Sequence, residues 1–147
     1  MSEISQNVAV LLIEDTATDA ELCIRTLKKQ NIANEIVWLK DGAEALAYLF
    51  DVDTAPRRVP RLVLLDLHLP RVHGLEVLRR IKSDERTRTI PVIVLTSSKE
   101  DRDIVESYNF GGNSYVSKPV KFAAFVATIS QLGLYWLITN HPLHAKS

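Results

Sequence analysis

Five residues with chemically useful side chains stand where short apolar runs of this sequence end. Glu14 and Asp15 follow the run VAVLLI, and Asp66 follows the run RLVLL. Thr96 follows the run PVIVL, and Lys118 follows a later run, NSYVS. Three carboxylates, a hydroxyl and an ammonium are the groups that phosphoryl transfer onto an aspartate would use. They can act together only if the fold brings the ends of these runs to one place.

The carboxylates divide into two roles. A charged carboxylate at the end of a buried run is costly to desolvate unless a cation pairs with it, and clustered acids attract a hard cation such as Mg²⁺. Asp66 stands alone on its run, so we expect it to be the nucleophile that accepts the phosphoryl group, with Glu14 and Asp15 holding the metal. The Lys118 ammonium and the Thr96 hydroxyl would meet the phosphoryl oxygens.

The apolar runs are predicted to be strands of one parallel sheet. Three of them are aliphatic at successive positions, which is typical of central strands covered by helices on both faces. The predicted strands span residues 8–13, 35–39, 61–65, 91–95 and 113–117. Alternation with helices predicts a doubly wound α/β domain with five helices and strand order 2-1-3-4-5. In such a sheet the carboxyl ends of the strands form one cleft, which would collect the five residues named above.

Capping patterns and apolar stripes indicate where the helices lie. Three pairs have the N-cap to N3 spacing of a capping box or its aspartate variant: Thr18 with Glu21, Asp41 with Glu44, and Ser97 with Glu100. The first helix is predicted to bury one apolar stripe, formed by Ala20, Cys23, Ile24 and Leu27. A last helix is predicted from about residue 120 to 140, and its stripe comprises Phe122, Phe125, Ile129, Leu132 and Trp136.

Length, charge and cysteine content restrict the class of protein. The 147 residues fit one domain, predicted to have its core at 8–138, a short tail at 139–147 and no output domain. Lys plus Arg total 18 and Asp plus Glu total 18, which argues against nucleic acid or an anionic membrane as the main partner. The single cysteine suits a reducing compartment, and neither a signal peptide nor a membrane span is evident. We therefore expect a cytoplasmic protein.

Four motifs give the chain a family resemblance. They are LLIED (11–15), LLDLHLPRVHG (64–74), VLTSS (94–98) and YVSKP (115–119). In this order and spacing they resemble the receiver domain of two-component response regulators, over residues 8 to about 138. The resemblance implies that Asp66 accepts a phosphoryl group from a histidine kinase or a histidine phosphotransfer protein. It also implies that the domain catalyses only its own phosphorylation and dephosphorylation.

The resemblance also assigns roles to individual residues. It implies that Mg²⁺, with Mn²⁺ as a substitute, is held by Glu14, Asp15, Asp66 and the main-chain carbonyl of His68. It implies that Thr96 and Lys118 contact the phosphoryl group and that the bond before Pro119 is cis. Tyr115 occupies the place where receivers carry a switch aromatic. We expect movement of Thr96 toward the phosphoryl group to let Tyr115 turn inward and remodel the surface around helix four and strand five.

The end of the chain bears on how the signal is passed on. Beyond its stripe, the last helix is apolar on nearly every side, and such a surface marks an interaction site or a buried end. We expect a homodimer formed through this helix and strand five. This end, the long loop at 51–60 and the motif NSYVSKP resemble the single-domain regulators of phytochrome-type kinases. A bacteriophytochrome is therefore a candidate for the cognate kinase.

Two other classes share part of this pattern. A flavin-binding module would need a phosphate-cradling loop after strand one, but here that loop is EDTATDA, whose acids would repel a phosphate. A phosphatase with an aspartate nucleophile would want an acid two residues after it, where this chain has His68. Colour on purification would favour the first class, and hydrolysis of a generic phosphate ester the second.

Overall fold

The computed structural model describes residues 8–29, 35–51, 60–108, 114–118 and 120–131. Within these ranges the chain forms one sheet of five parallel strands in the order β2-β1-β3-β4-β5, as predicted. The strands are β1 (Val8–Ile13), β2 (Ile36–Leu39), β3 (Pro60–Asp66), β4 (Val92–Thr96) and β5 (Ser114–Ser117). The helices between and after them are α1 (Ala17–Lys29), α2 (Gly42–Phe50), α3 (Gly74–Ser83), α4 (Lys99–Ser107) and α5 (Phe122–Gln131).

Two apolar layers enclose the sheet because successive strand residues point to opposite faces. On one face Leu12 and Leu64 pack with Cys23 of α1 and Phe125 of α5. On the other face the neighbouring strand residues pack against α2, α3 and α4, with Leu49, Leu78, Ile81 and Val105 in the contact. The strands are therefore buried on both sides, which explains why their sequences are continuously aliphatic.

The stripe predicted for α1 is largely confirmed. Ala20, Cys23 and Leu27 are fully buried, and Ile24 packs at the edge of the same cluster. Burial, together with the charges of Glu14 and Asp19, raises the pKa of the Cys23 thiol to about 12. Cys23 is thus a small core residue rather than a reactive thiol.

Helix starts were predicted less well than strands. Asp41 caps α2 as predicted, since its side chain accepts a hydrogen bond from the Glu44 amide at 2.8 Å. The cap of α4 is Ser98 rather than Ser97, because β4 continues to Thr96 and Ser98 has the extended backbone of an N-cap. Thr18 was also wrong as a cap, because α1 already begins at Ala17.

Several predictions concern positions outside the described residues. These are the cis peptide bond before Pro119, the last helix beyond Gln131, the tail at 139–147 and most of the loop at 51–60. The described part of α5 begins at Phe122, two residues later than predicted. Phe125 of the predicted stripe is buried, but Phe122 is 46% exposed, so its place in a buried stripe was wrong. In the part of the chain that the structure covers, every helix is too short or too polar to cross a bilayer.

Candidate functional site

The sheet register places the predicted site residues at one edge. β3 and β4 extend one residue further than predicted, so Asp66 and Thr96 are the last residues of their strands. Asp66 pairs in register with Leu95, and Thr96 with Ser117, which immediately precedes Lys118. Both Asp66 and Thr96 are almost completely buried. Their side chains therefore belong to the floor of the cleft.

Three carboxylates meet at this edge. One oxygen each of Glu14, Asp15 and Asp66 lies within 4.8 Å of the others. Glu14 is fully buried and Asp66 nearly so, whereas Asp15 is exposed. Acids this close repel one another unless a proton or a cation neutralises part of their charge. The structure therefore contains the acid cluster that the strand ends predicted.

Lys118 supplies the cation on one side of the cluster. Its Nζ lies 3.1 Å from Asp66 Oδ2 and 3.3 Å from Glu14 Oε2. A third carboxylate, Asp19 Oδ2, is also 3.3 Å away. The backbone is fixed as well, since the Lys118 amide donates to the Thr96 carbonyl at 2.7 Å. Lys118 is thus held by β4 and faces the acids.

The pKa directions reflect this charge arrangement. Burial, and next the charge of Asp66, raise the pKa of Glu14 to about 7. Burial acts to lower the pKa of Lys118, but the hydrogen bond and charge of Asp66 and the charge of Glu14 outweigh it and raise that pKa. One ammonium is therefore too little to neutralise the acids, and ionisation of Glu14 in the folded protein is costly.

The donor set fits a hard divalent cation. Glu14 Oε1 is buried and has no hydrogen-bond partner among the described residues, whereas Oε2 accepts from the Thr16 amide and from Lys118. An orphaned buried carboxylate oxygen beside two other acids is what an oxygen-seeking ion such as Mg²⁺ or Mn²⁺ would satisfy. Glu14, Asp15 and Asp66 are the residues that would hold it.

The loop from Leu67 to His73 is clamped between two glycines. A Cβ on Gly74 would lie 2.3 Å from the Asp66 carbonyl oxygen and 2.6 Å from Leu67 Cα. A Cβ on Gly42 would lie 2.0 Å from the Val72 carbonyl oxygen. The Gly74 amide also donates to the Leu67 carbonyl at 2.8 Å. Only residues without a side chain allow α2 and α3 to approach this loop so closely.

Two histidines in this loop have defined contacts. The His68 amide donates to Asp66 Oδ1 at 3.1 Å, and its ring Nε2 lies 2.8 Å from Asp101 Oδ2 on α4. The hydrogen bond with His68 lowers the pKa of Asp101. His73 is exposed, and its Nδ1 accepts from the Leu75 amide, so it caps α3. His73 thus has a structural role at the start of α3.

Tyr115 stands half-buried beside a surface groove. The Arg102 guanidinium lies 4.6 Å from the centre of its ring and also 3.5 Å from Glu106. Burial, and next the charge of Glu106, raise the pKa of the Tyr115 hydroxyl. The groove has a volume of about 610 Å³ and runs from Thr96 along α4 to β5. Thr96 and Tyr115 therefore line the same groove, as a coupled pair would require.

Two contacts at the site were not foreseen from the sequence. Asp19 reaches Lys118 from the first turn of α1, and its position four residues after Asp15 was the available signal. The Trp38 indole on β2 donates to the Glu14 carbonyl at 2.7 Å and so fixes the end of β1. No sequence signal distinguished Trp38 from an ordinary strand residue.

Comparison with protein families identifies the class. The model of the response regulator receiver domain matches residues 10–130, which is most of the chain. The chain belongs to this family. Receiver domains are signalling domains, and the five-stranded fold with this strand order agrees with that assignment.

Individual relatives add detail. The "Probable methanogenesis regulatory protein FilR2" of Methanothrix harundinacea is 44% identical over 131 residues, covering 89% of this chain and 84% of that protein. Response regulator Rcp1 of Synechocystis is 36% identical, covering 88% and 89%. Among solved structures, the bacteriophytochrome response regulator RtBRR is 45% identical with a TM-score of 0.80, covering 90% of this chain and 82% of that one. The Mn²⁺-bound form of Rcp1 is similar with a TM-score of 0.70 and 36% identity, covering 90% and 96%.

Proposed function

We propose that this receiver accepts a phosphoryl group on Asp66 from a histidine kinase or a histidine phosphotransfer protein, in a reaction that needs Mg²⁺. The observation that carries the proposal is the buried Asp66 carboxylate between the Lys118 ammonium at 3.1 Å and the acids Glu14 and Asp15. A carboxylate nucleophile, a cation and an acid cluster at one strand edge are the parts that phosphoryl transfer onto aspartate uses.

Each residue of the site has its own role in the proposed phosphoryl transfer. A carboxylate oxygen of Asp66 attacks the phosphorus, and the bond from phosphorus to the donor histidine nitrogen breaks as the new bond forms. Lys118 and the Thr96 hydroxyl then meet the phosphoryl oxygens, whose charge is about −1.5 to −2. When bound by Glu14, Asp15 and Asp66, with the His68 carbonyl as a further proposed ligand, Mg²⁺ or Mn²⁺ supplies charge neutralisation. The domain would then catalyse only its own phosphorylation and dephosphorylation.

The proposal is tested by intact mass after incubation with acetyl phosphate and Mg²⁺. Wild type is expected to gain one phosphoryl group, and Asp66→Asn is expected to gain none, because an amide oxygen is a poor nucleophile. Asp103→Asn is the control, since Asp103 is an exposed acid on α4 that forms a surface ion pair with Lys99. An adduct that persists in Asp66→Asn, or in excess chelator, would overturn the assignment.

We further propose that a bacteriophytochrome is the cognate kinase. The support is the likeness to two bacteriophytochrome response regulators, RtBRR and AtBRR, at 45% and 46% identity. Faster phosphoryl transfer from a bacteriophytochrome kinase than from an unrelated histidine kinase is the expected result. Equal rates from both would contradict this pairing.

The switch and the output are part of the same proposal. Phosphorylation would draw Thr96 toward Asp66 and let Tyr115 leave the Arg102 guanidinium that now lies over its ring. A change in Tyr115 ring resonances on phosphorylation would be the sign of this movement. The groove between α4 and β5 would change shape, and a separate partner in the cytoplasm would recognise it.

We propose that the protein is a homodimer through its last helix and β5, with the whole chain forming one domain. The support is the exposed Phe122 in the described part of α5 and the apolar sequence that continues beyond Gln131. Light scattering with and without a phosphoryl mimic is expected to give twice the monomer mass. A monomer in both states would remove the dimer from the proposal.

A further inference from the structure

Asp19 is a carboxylate at the site that the phosphoryl-transfer scheme does not use. It lies in the first turn of α1, and its Oδ2 is 3.3 Å from Lys118 Nζ. Its side chain is 20% exposed and that of Lys118 15%, so water screens the pair only in part. Lys118 therefore has three carboxylate partners, and Asp19 lies on the α1 side of it.

Asp19 differs from the other two partners in what a bound metal would do to it. Glu14 and Asp66 belong to the group of acids whose oxygens converge within 4.8 Å, and Asp19 does not. A divalent cation held by the converging acids would neutralise their charges and weaken their hold on Lys118. Asp19 would keep its full charge and remain a partner of the ammonium.

We infer that Asp19 is a positioning residue that competes with the phosphoryl group for Lys118. The inference rests on the proposed function of Asp66 as phosphoryl acceptor. In the metal-loaded protein the ammonium is shared between Asp19 and the phosphoryl oxygens. Asp19 thereby limits how tightly the phosphorylated state is stabilised.

Removal of the Asp19 charge has two effects, and both are expected to strengthen binding of a phosphoryl mimic. Removing the Asp19 charge frees Lys118 to pair with the phosphoryl oxygens alone. It also removes one negative charge near the place where an anionic group must bind. An uncharged side chain at position 19 is therefore expected to strengthen binding of a phosphoryl mimic.

The same charge has the opposite effect on the fold. A carboxylate in the first turn of a helix is stabilised by the helix dipole, and Asp19 also forms an ion pair with Lys118. Removal of its charge is expected to lower the stability of the protein slightly. If Asp19 had only a structural role, its replacement would lower both the stability of the protein and its affinity for the phosphoryl mimic. Measuring stability and affinity together therefore distinguishes a structural role from competition for Lys118.

The experiment uses the full chain at saturating Mg²⁺ and titrates beryllofluoride, followed by calorimetry. Asp19→Asn is expected to bind it about three to ten times more tightly than wild type, with a lower melting temperature. Asp19→Glu keeps the charge and is expected to stay within about twofold of wild type. Glu21→Gln is the matched control, because it removes an exposed acid from the same helix.

The outcomes separate this inference from the proposed function. Binding by Asp19→Asn that is equal to or weaker than that of wild type would overturn the competition. An equal gain in Glu21→Gln would also overturn it, because overall charge alone would then explain the effect. If wild type binds no beryllofluoride, or Asp66→Asn binds it equally well, the proposed function fails and the inference fails with it.

Discussion

Glu14→Gln is expected to raise the free energy of unfolding of the metal-free protein by about 1 to 3 kcal/mol at pH 8. Glu14 is fully buried, close to Asp66, and has one oxygen without a hydrogen-bond partner among the described residues. An amide of the same shape can keep the hydrogen bond from the Thr16 amide, now at 3.1 Å, while it removes a charge that burial penalises. The attraction of Lys118, 3.3 Å away, is lost as well, but burial and the charge of Asp66 outweigh it. The substitution is therefore expected to stabilise the folded state and to change the unfolded chain little.

The pH dependence follows from the direction of the pKa change. Burial raises the pKa of Glu14 from 4.5 to about 7 in the folded protein. Below pH 4.5 the Glu14 carboxyl is protonated in both the folded and the unfolded protein, so it does not destabilise the fold. Between these values only the unfolded chain releases its proton, and wild-type stability falls as the pH rises. The difference in free energy of unfolding between Glu14→Gln and wild type should therefore grow between pH 4.5 and 7 and stay constant above pH 7.

Urea unfolding in excess chelator, compared with unfolding in Mg²⁺, measures this effect. In Mg²⁺ the advantage of the variant is expected to shrink or reverse, because a bound cation stabilises the wild-type carboxylate. Glu21→Gln serves as the control for the loss of one exposed acid. A Glu14→Gln protein that is no more stable than wild type in chelator at pH 8 would contradict the view that ionised Glu14 destabilises the metal-free fold.

Gly74→Ala is expected to lower the free energy of unfolding by about 2 to 3 kcal/mol. In open space this change would stabilise the helix, because alanine is the better helix former by about 0.5 to 1 kcal/mol. Here the added methyl would meet main-chain atoms of Asp66 and Leu67 at 2.3 to 2.8 Å, and backbone cannot rotate away as a side chain does. The collision should also displace Asp66, so phosphorylation should slow as well.

Thermal or urea unfolding and the rate of adduct formation measure the two consequences. Lys99→Ala is the matched control, since Lys99 is the exposed first residue of α4 as Gly74 is the first residue of α3. That control should change stability by less than about 0.5 kcal/mol. A Gly74→Ala protein with wild-type stability and rate would show that the loop has more freedom than its contacts indicate.

The sheet and its acid cluster could be predicted because each depends on a strong sequence signal. Continuous aliphatic runs are typical of strands buried on both faces, and the alternation with helices restricts the strand order. Once the order is known, Glu14, Asp66, Thr96 and Lys118 must share one edge of the sheet. Their proximity is a consequence of topology and needs no knowledge of side-chain packing.

The contacts that were missed depend on side-chain reach rather than on topology. Asp19 contacts Lys118 from the first turn of α1, which begins at Ala17, and the capping pattern at Thr18 placed this start two residues too late. Ser97 and Ser98 are equally good cap residues, and the length of β4 decides between them. The hydrogen bond from the Trp38 indole to the Glu14 carbonyl joins side chain to backbone across 24 residues of sequence. Sequence patterns are weakest at such choices.

The clamp that Gly42 and Gly74 form on the loop from Leu67 to His73 has an entropic consequence. Fixing one residue's backbone costs about 1 to 2 kcal/mol at room temperature, so ordering such a loop on binding would consume much of a ligand's affinity. Here the contacts with α2 and α3 order the loop during folding instead. A ligand that arrives at this edge of the sheet meets a preorganised surface, and little of its binding energy is lost to ordering the loop.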